Sequence, residues 1–123
     1  MEFESRLVKI LMELGMMASG YHWKDDAEKI FTGLRVMRPQ AEEPFIGLAL
    51  MWMMAGSNDE AVQILKNEAL SRHPESEVVK AYLALALKLS GRTSESEQVA
   101  RELIAAGKNE KALQFVENLL KEM

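Results

Sequence analysis

Cysteine is absent from the 123 residues, which removes disulfides, thiolate nucleophiles and the common zinc cages from consideration. Histidine is nearly absent. His22 and His73 are too few to hold a metal without thiolates, and His22, near Asp25 and Asp26, sits in the short loop Gly20-Tyr21-His22-Trp23, where it reads as a turn residue. Strand signals are missing too: there is no alternating Val/Ile/Thr run and no Asn-Gly turn. The 15 Lys and Arg are scattered and outnumbered by 19 Asp and Glu. A basic stripe that would neutralise phosphates is therefore lacking, and no nucleic-acid partner is expected. The longest strongly apolar run, Phe45 to Ala55, is too short to span a bilayer. The start, Met1-Glu2-Phe3-Glu4-Ser5, is acidic where a signal peptide is basic. The expectation is a soluble, cytoplasmic protein without a membrane partner. No nucleophile elbow, phosphate loop or dinucleotide fingerprint occurs. Neither a catalytic residue nor a cofactor nor a metal is expected.

What remains is 48% apolar residues, enough for a packed core, arranged with helical periodicity. Seven segments are predicted, over 4–19, 23–37, 42–55, 58–71, 76–90, 94–106 and 109–122. Gly20, Gly56, Gly91 and Gly107 each follow an apolar helix, where a left-handed residue closes the C-terminus. Asn58 and Asn109 suit N-caps, and Ser94 with Glu97 suits a capping box. Pro39 and Pro74 fall between segments, and Pro44 in a first turn, where its missing N–H costs little.

The segments repeat. Leu14 and Leu48, Ala27 and Ala61, and Phe31 and Leu65 stand 34 residues apart, whereas Leu48 and Leu83, and Gly56 and Gly91, stand 35 apart. The extra residue is assigned to the neighbourhood of Pro74, which falls one place late. A 34-residue period with these residue types is that of the tetratricopeptide helix-turn-helix. Small residues let the two helices of a hairpin approach, and large ones four positions on fill the space beside them. The third unit is degenerate, with Lys80, Ser96 and Ala100 at the aromatic, alanine and large positions. The last segment reads as a cap. The fold expected for residues 1–123 is an all-α, tetratricopeptide-like solenoid of about three units plus a capping helix, in a single domain.

In such a stack the first helix of each unit lines the concave side. Spacing divides those helices into two stripes. Leu11, Leu14, Ala18, Phe45, Leu48, Trp52, Leu83 and Leu87 point into their own hairpins. The other stripe carries Met12, Met16, Ile46, Leu50, Met53, Met54, Val78, Ala81, Leu85 and Leu89. Side chains on the second stripe recur at steps of three or four and face the groove. About nine of them represent on the order of 10–25 kcal/mol of gross apolar stabilisation awaiting a cover. Four are methionines, adaptable side chains suited to gripping an apolar helix. Three covers are open at this point: a helical protein partner, a second copy of the chain using the same surface, or the chain's own last helix folded back into the groove. A groove clamping an acidic C-terminus is disfavoured, because apolar Met12, Met16, Ile46 and Leu50 hold the places that Lys and Asn would need.

Residues Met12-Glu13-Leu14-Gly15-Met16-Met17-Ala18-Ser19-Gly20-Tyr21-His22, followed by Asp26-Ala27-Glu28, resemble the opening of the small tetratricopeptide chaperones of bacterial type III secretion that bind the needle subunit. Asp26 to Pro39, and Pro74 to Gly91 with Lys80-Ala81-Tyr82-Leu83-Ala84-Leu85, also resemble a sister family of short type III secretion proteins from plant-associated bacteria. The resemblance implies a cytoplasmic virulence chaperone. Its concave groove would hold an amphipathic helix of an export substrate, such as the needle subunit, with a small helical co-chaperone as a further partner.

Overall fold

The computed structural model of the chain describes residues 2–122, with side chains from Ser5 onward; the acidic start from Met1 to Glu4 lies outside the described side chains. The elements are α1 (Glu2–Gly20), α2 (Lys24–Met37), α3 (Glu43–Met54), α4 (Asn58–Gln63), a π-helical stretch (Ile64–Ala69), α5 (Leu70–Arg72), α6 (Glu77–Leu89), α7 (Thr93–Ala106) and α8 (Glu110–Lys121). The stretch from α4 through α5 is one rod, so the expected seven helices are present. No strand occurs among the described residues. α1 packs on α2, α3 on the α4–α5 rod, and α6 on α7, while α1, α3, α6 and α8 each contact the next in line. The result is an all-α, tetratricopeptide-like solenoid of three hairpins with α8 closing its C-terminal end.

The hairpins close around small residues. Phe31 on α2 is fully buried and lies between two glycines. A Cβ on Gly15 of α1 would stand 2.6 Å from the Phe31 ring, and one on Gly47 of α3 would overlap it. One aromatic side chain thus joins a unit to itself and to the next. Leu65 repeats the role among Phe45, Ala49, Val79 and Leu83, all in one cluster. In the third unit Ala81, Ala84, Ala100 and Leu103 meet Ala112, Val116 and Leu119 of α8. Ser96, at the alanine position, is fully buried and donates to the Ala84 carbonyl at 2.6 Å. The degenerate unit therefore closes as tightly as the others, because serine is as small as the site requires and its hydroxyl has a partner.

The turns obey the same period. Gly56 (φ 81°) and Gly91 (φ 82°) are left-handed, as expected. Gly20 is not: α1 runs through it, and His22 (φ 62°) takes the left-handed place, 34 residues before Gly56. Gly107 also has an ordinary backbone (φ −78°). Glycine is needed there for space, since a Cβ would lie 2.5 Å from the Leu103 carbonyl oxygen and 2.7 Å from Glu77 Oε1. That carboxylate accepts from the Lys108 and Asn109 N–H groups at 2.6 and 2.8 Å, and so ties the start of α8 to the start of α6. Asn109 caps α8 as expected, accepting from the Ala112 N–H at 3.0 Å. Ser76, a cap the sequence reading passed over, accepts from the Val79 N–H. Two expected caps are corrected. Asn58 lies inside α4 and donates to the Leu89 carbonyl at the end of α6. α7 starts at Thr93 without a side-chain cap, because Glu97 instead pairs with Arg101, one turn on.

The thirty-fifth residue lies inside a helix, not beside Pro74. The N-terminal junctions Trp23, Ser57 and Arg92 share one backbone conformation, with φ near −90° and ψ near 65°. The C-terminal junctions Arg38 (φ −133°, ψ 68°) and His73 (φ −132°, ψ 66°) share another. Trp23 and Ser57 are 34 apart, but Arg38 and His73 are 35 apart, so the insertion falls within the second helix of unit two. There the helix widens into the π-helical turn Ile64–Ala69, the usual way a helix absorbs one residue without losing its rod. Buried Ala69 takes the place of Leu34, while Lys66 and Asn67 project into solvent.

Two outcomes test this packing. Gly47→Ala, which would stabilise an ordinary helix interior, should instead cost about 1–3 kcal/mol in urea denaturation. Adding Phe31→Leu should recover part of that loss. Deleting Asn67 should convert the π turn to regular helix and leave a cooperative fold within about 1 kcal/mol of the parent.

Candidate protein-docking face

The expected groove residues lie on the first helices, each of which presents one stripe to its own hairpin and a second stripe away from it. α1, α3, α6 and α8 lie side by side, and the second helices of the units back them. α8 packs on α6 and α7, continuing the row, so it extends the concave face rather than folding across it. Met12 and Met16 are half-buried against the Phe31 cluster. Ile46 and Met53 are half-buried against the Leu65 cluster, and Leu50 is half-buried beside them. Val78 and Leu85 are half-buried on α6, and Ala81 is buried under α8. Only Met54 and Leu89, at 43% and 49%, are openly exposed. Neighbouring first helices therefore shield much of the stripe from one another. The apolar gain left for a partner is correspondingly below the 10–25 kcal/mol that full exposure would allow.

The hairpin-facing stripe departs from expectation at two residues, Leu48, which packs with Ala18, Ala27 and Phe31 of the preceding unit, and Leu14. Leu14 does not enter its hairpin; Gly15 does, and Leu14 is exposed. Leu11 and Ala18 do pack inward, and Trp52 bridges the first two clusters with the Lys24 ammonium 4.3 Å from its ring.

At the C-terminal end the face deepens into a cleft of about 270 Å³ between α6 and α8. Val78, Ala81 and Tyr82 line one wall, and Asn109, Lys111, Ala112 and Phe115 the other. Tyr82 and Phe115 face each other at 5.9 Å. The two rings and Lys111 were absent from the residues singled out by spacing. Tyr82 stands one turn beyond Val78, a spacing that marks it in the sequence; Phe115 lies on α8, the expected cap, where spacing gives no sign of a cleft. Aromatic walls with one cation at the rim suit an apolar side chain flanked by an acidic one.

Charge plays a small part on this face. Away from this face, on α7, the Glu95 carboxyl is held below its ordinary value chiefly by hydrogen bonds from Arg92 at 3.0 and 3.1 Å. Among the described residues no cluster of His, Asp and Glu is arranged to hold a metal ion. Among the described residues no helix is long and apolar enough to cross a membrane.

Against known proteins, the profile of the bacterial type III secretion protein family HrpB1_HrpK matches residues 1–123. Two structures of the Yersinia enterocolitica type III secretion translocator chaperone SycD share the fold. One has a TM-score of 0.77 at 22% identity, covering 97% of this chain and 91% of that one. The other, an alternative dimer, has a TM-score of 0.68 at 24% identity, covering 94% and 95%. At such identity the likeness is one of fold. No individual curated protein matches.

His22 separates a structural role from a chemical one. His22→Gly puts glycine where Gly56 and Gly91 stand, and should raise stability by about 0.5–1 kcal/mol in thermal or urea denaturation. A loss would mean that the imidazole makes an interaction beyond its turn.

Proposed function

We propose that this chain, which belongs to the bacterial type III secretion protein family HrpB1_HrpK, is a cytoplasmic chaperone whose concave face masks an amphipathic helix of an export substrate, with the needle subunit as first candidate. The observation that carries this reading is the unfilled apolar row on α1, α3 and α6, ending in the aromatic cleft between α6 and α8. A substrate that assembles through an apolar helix must keep that helix covered before export. A row of half-open Met and Leu side chains covers such a helix without being a dry core itself. The solved chaperone of the same fold is described as serving translocators, so a translocator segment is the natural competitor for the needle subunit in any binding test. A small helical co-chaperone belongs to the same reading.

The test uses the middle of the row. Leu50→Asp and Met53→Asp place a charge where the client helix would lie, and each should lower affinity at least about tenfold, a cost near 1.4 kcal/mol. Circular dichroism and the melting midpoint should stay close to the parent, since both side chains are only half-buried. Isothermal titration with the needle subunit, and separately with a translocator segment, reads the loss and names the client class. Undiminished binding of both clients to both variants would remove the concave face from the function.

A further inference from the structure

The second and third units differ at one place outside the concave row. In unit two, Phe45 of α3 is buried where α2 and α5 both reach it. Two guanidinium groups lie against its ring, Arg35 of α2 at 4.7 Å and Arg72 of α5 at 5.4 Å. Arg35 also pairs with Glu68 at 3.0 Å. One ring and two arginines thus close this seam of the stack beside a single carboxylate.

The repeat carries the same place into unit three. Phe45 becomes Lys80 and Arg35 becomes Leu70, each 35 residues on. Beyond the π turn the second helices run 34 apart, since the His73 N–H meets the Ala69 carbonyl and the Gly107 N–H meets that of Leu103. Glu68 therefore becomes Glu102, and Arg72 becomes Ala106. The carboxylate is kept, while the ring and both guanidinium groups are lost. A cavity of about 260 Å³ opens there, and Leu70, Lys80, Glu102 and Ala106 all line it. Buried Leu83 and Leu103 form its floor, with Val99 beside them. Glu75 and Glu77 also line it, so three carboxylates meet one ammonium.

We propose that this cavity receives an arginine side chain from a protein partner. Unit two is the occupied form of the same place, and what it holds against Glu68 is a guanidinium. Arginine suits both parts of the cavity. Its alkyl stem can lie on Leu83, Val99 and Leu103, and its planar fork can give Glu102 two parallel hydrogen bonds. Lysine brings a point charge without the fork. A metal ion has no use for an apolar floor, and among the described residues no set of carboxylates converges on one. A volume of about 260 Å³ is below the roughly 300–1,000 Å³ of small-molecule sites and suits one large side chain. None of the lining residues belongs to the concave row, so this is a second contact surface, independent of what the row binds.

Nuclear magnetic resonance of the methyl-labelled full chain tests it, with acetyl-Gly-Arg-Gly-amide as the probe. The peptide should shift the Leu70, Leu83, Val99 and Leu103 methyl signals saturably and leave those of Leu50 in place. Its citrulline counterpart, alike in shape but uncharged, should bind at least about tenfold more weakly. Glu102→Gln, at an exposed position, should weaken the arginine peptide by a similar factor with the fold intact. Leu70→Arg restores the residue of unit two, so it should fill the cavity from within, raise the melting midpoint and abolish peptide binding. Free arginine, whose α-carboxylate would meet Glu75 or Glu77, should bind more weakly than the blocked peptide. Tighter binding of the free amino acid overturns the assignment to a protein partner. The inference also falls if no saturable shift occurs, if the citrulline peptide binds equally, or if binding survives both variants. No client of the concave row is needed for any of these readings, so either surface can fail without the other.

Discussion

Everything in this stack hangs on how closely two helices can approach a single aromatic ring. Phe31 fills the space that Gly15 and Gly47 vacate, one glycine in its own hairpin and one in the next. Neither glycine serves a turn; both lie in helix interiors, where glycine ordinarily costs stability relative to alanine. That cost is offset because the ring, once seated, fixes both the spacing within the unit and the placement of its successor. The later units use gentler versions, with Leu65 against Ala49 and Ala100 against Ala84. The first junction is therefore the least tolerant of change, and it is also the one that sets where the concave row begins.

Rigid junctions would normally make the length of each unit inviolable, yet the second unit is one residue longer. The extra residue is absorbed where it disturbs neither the ring contacts nor the turns, between Leu65 and Ala69 on the outer helix. Up to Leu65 the side chains keep the 34-residue register, and from Ala69 onward they keep the 35-residue one. Lys66 and Asn67, the residues of the widened turn, face solvent. The repeat thus survives because the insertion falls on the side that has no neighbour to meet.

Much of this was legible in the residues. Seven helices, the period, the left-handed Gly56 and Gly91, and the Asn109 cap follow from spacing and from residue chemistry. The errors share one cause: spacing measures position along the chain but not which neighbour is present. Gly20 looked like the left-handed residue because it was the glycine at hand, yet the period places His22 there. Leu14 and Leu48 were both assigned to their own hairpins by spacing, but Leu48 packs on the preceding unit and Leu14 is exposed among the described residues. Tyr82 and Phe115 escaped notice because the cleft they make exists only when α8 joins the row. The concave stripe itself was visible, but its openness was overstated, since adjacent first helices hide one another's flanks.

That partial shielding bears on how such a face can work. Ten fully exposed apolar residues would make the free protein prone to nonspecific association, whereas a row that is mostly half-buried presents its apolar character at low cost in solubility. Affinity then has to come from a few deeper anchors rather than from total area. At the α6–α8 end lies an aromatic-walled cleft, where Tyr82 and Phe115 can enclose one side chain and Lys111 can meet a charge beside it. At the α1 end Met12 lines a wider depression of about 510 Å³ with Val8, Lys9, Arg38 and Glu43 and no aromatic wall. A client helix laid along the row would accordingly be held in register at its α6–α8 end and accommodated at the other. On the proposed function, such an arrangement would discriminate by the spacing of one anchor from an apolar stripe and would tolerate variation in the stripe's sequence.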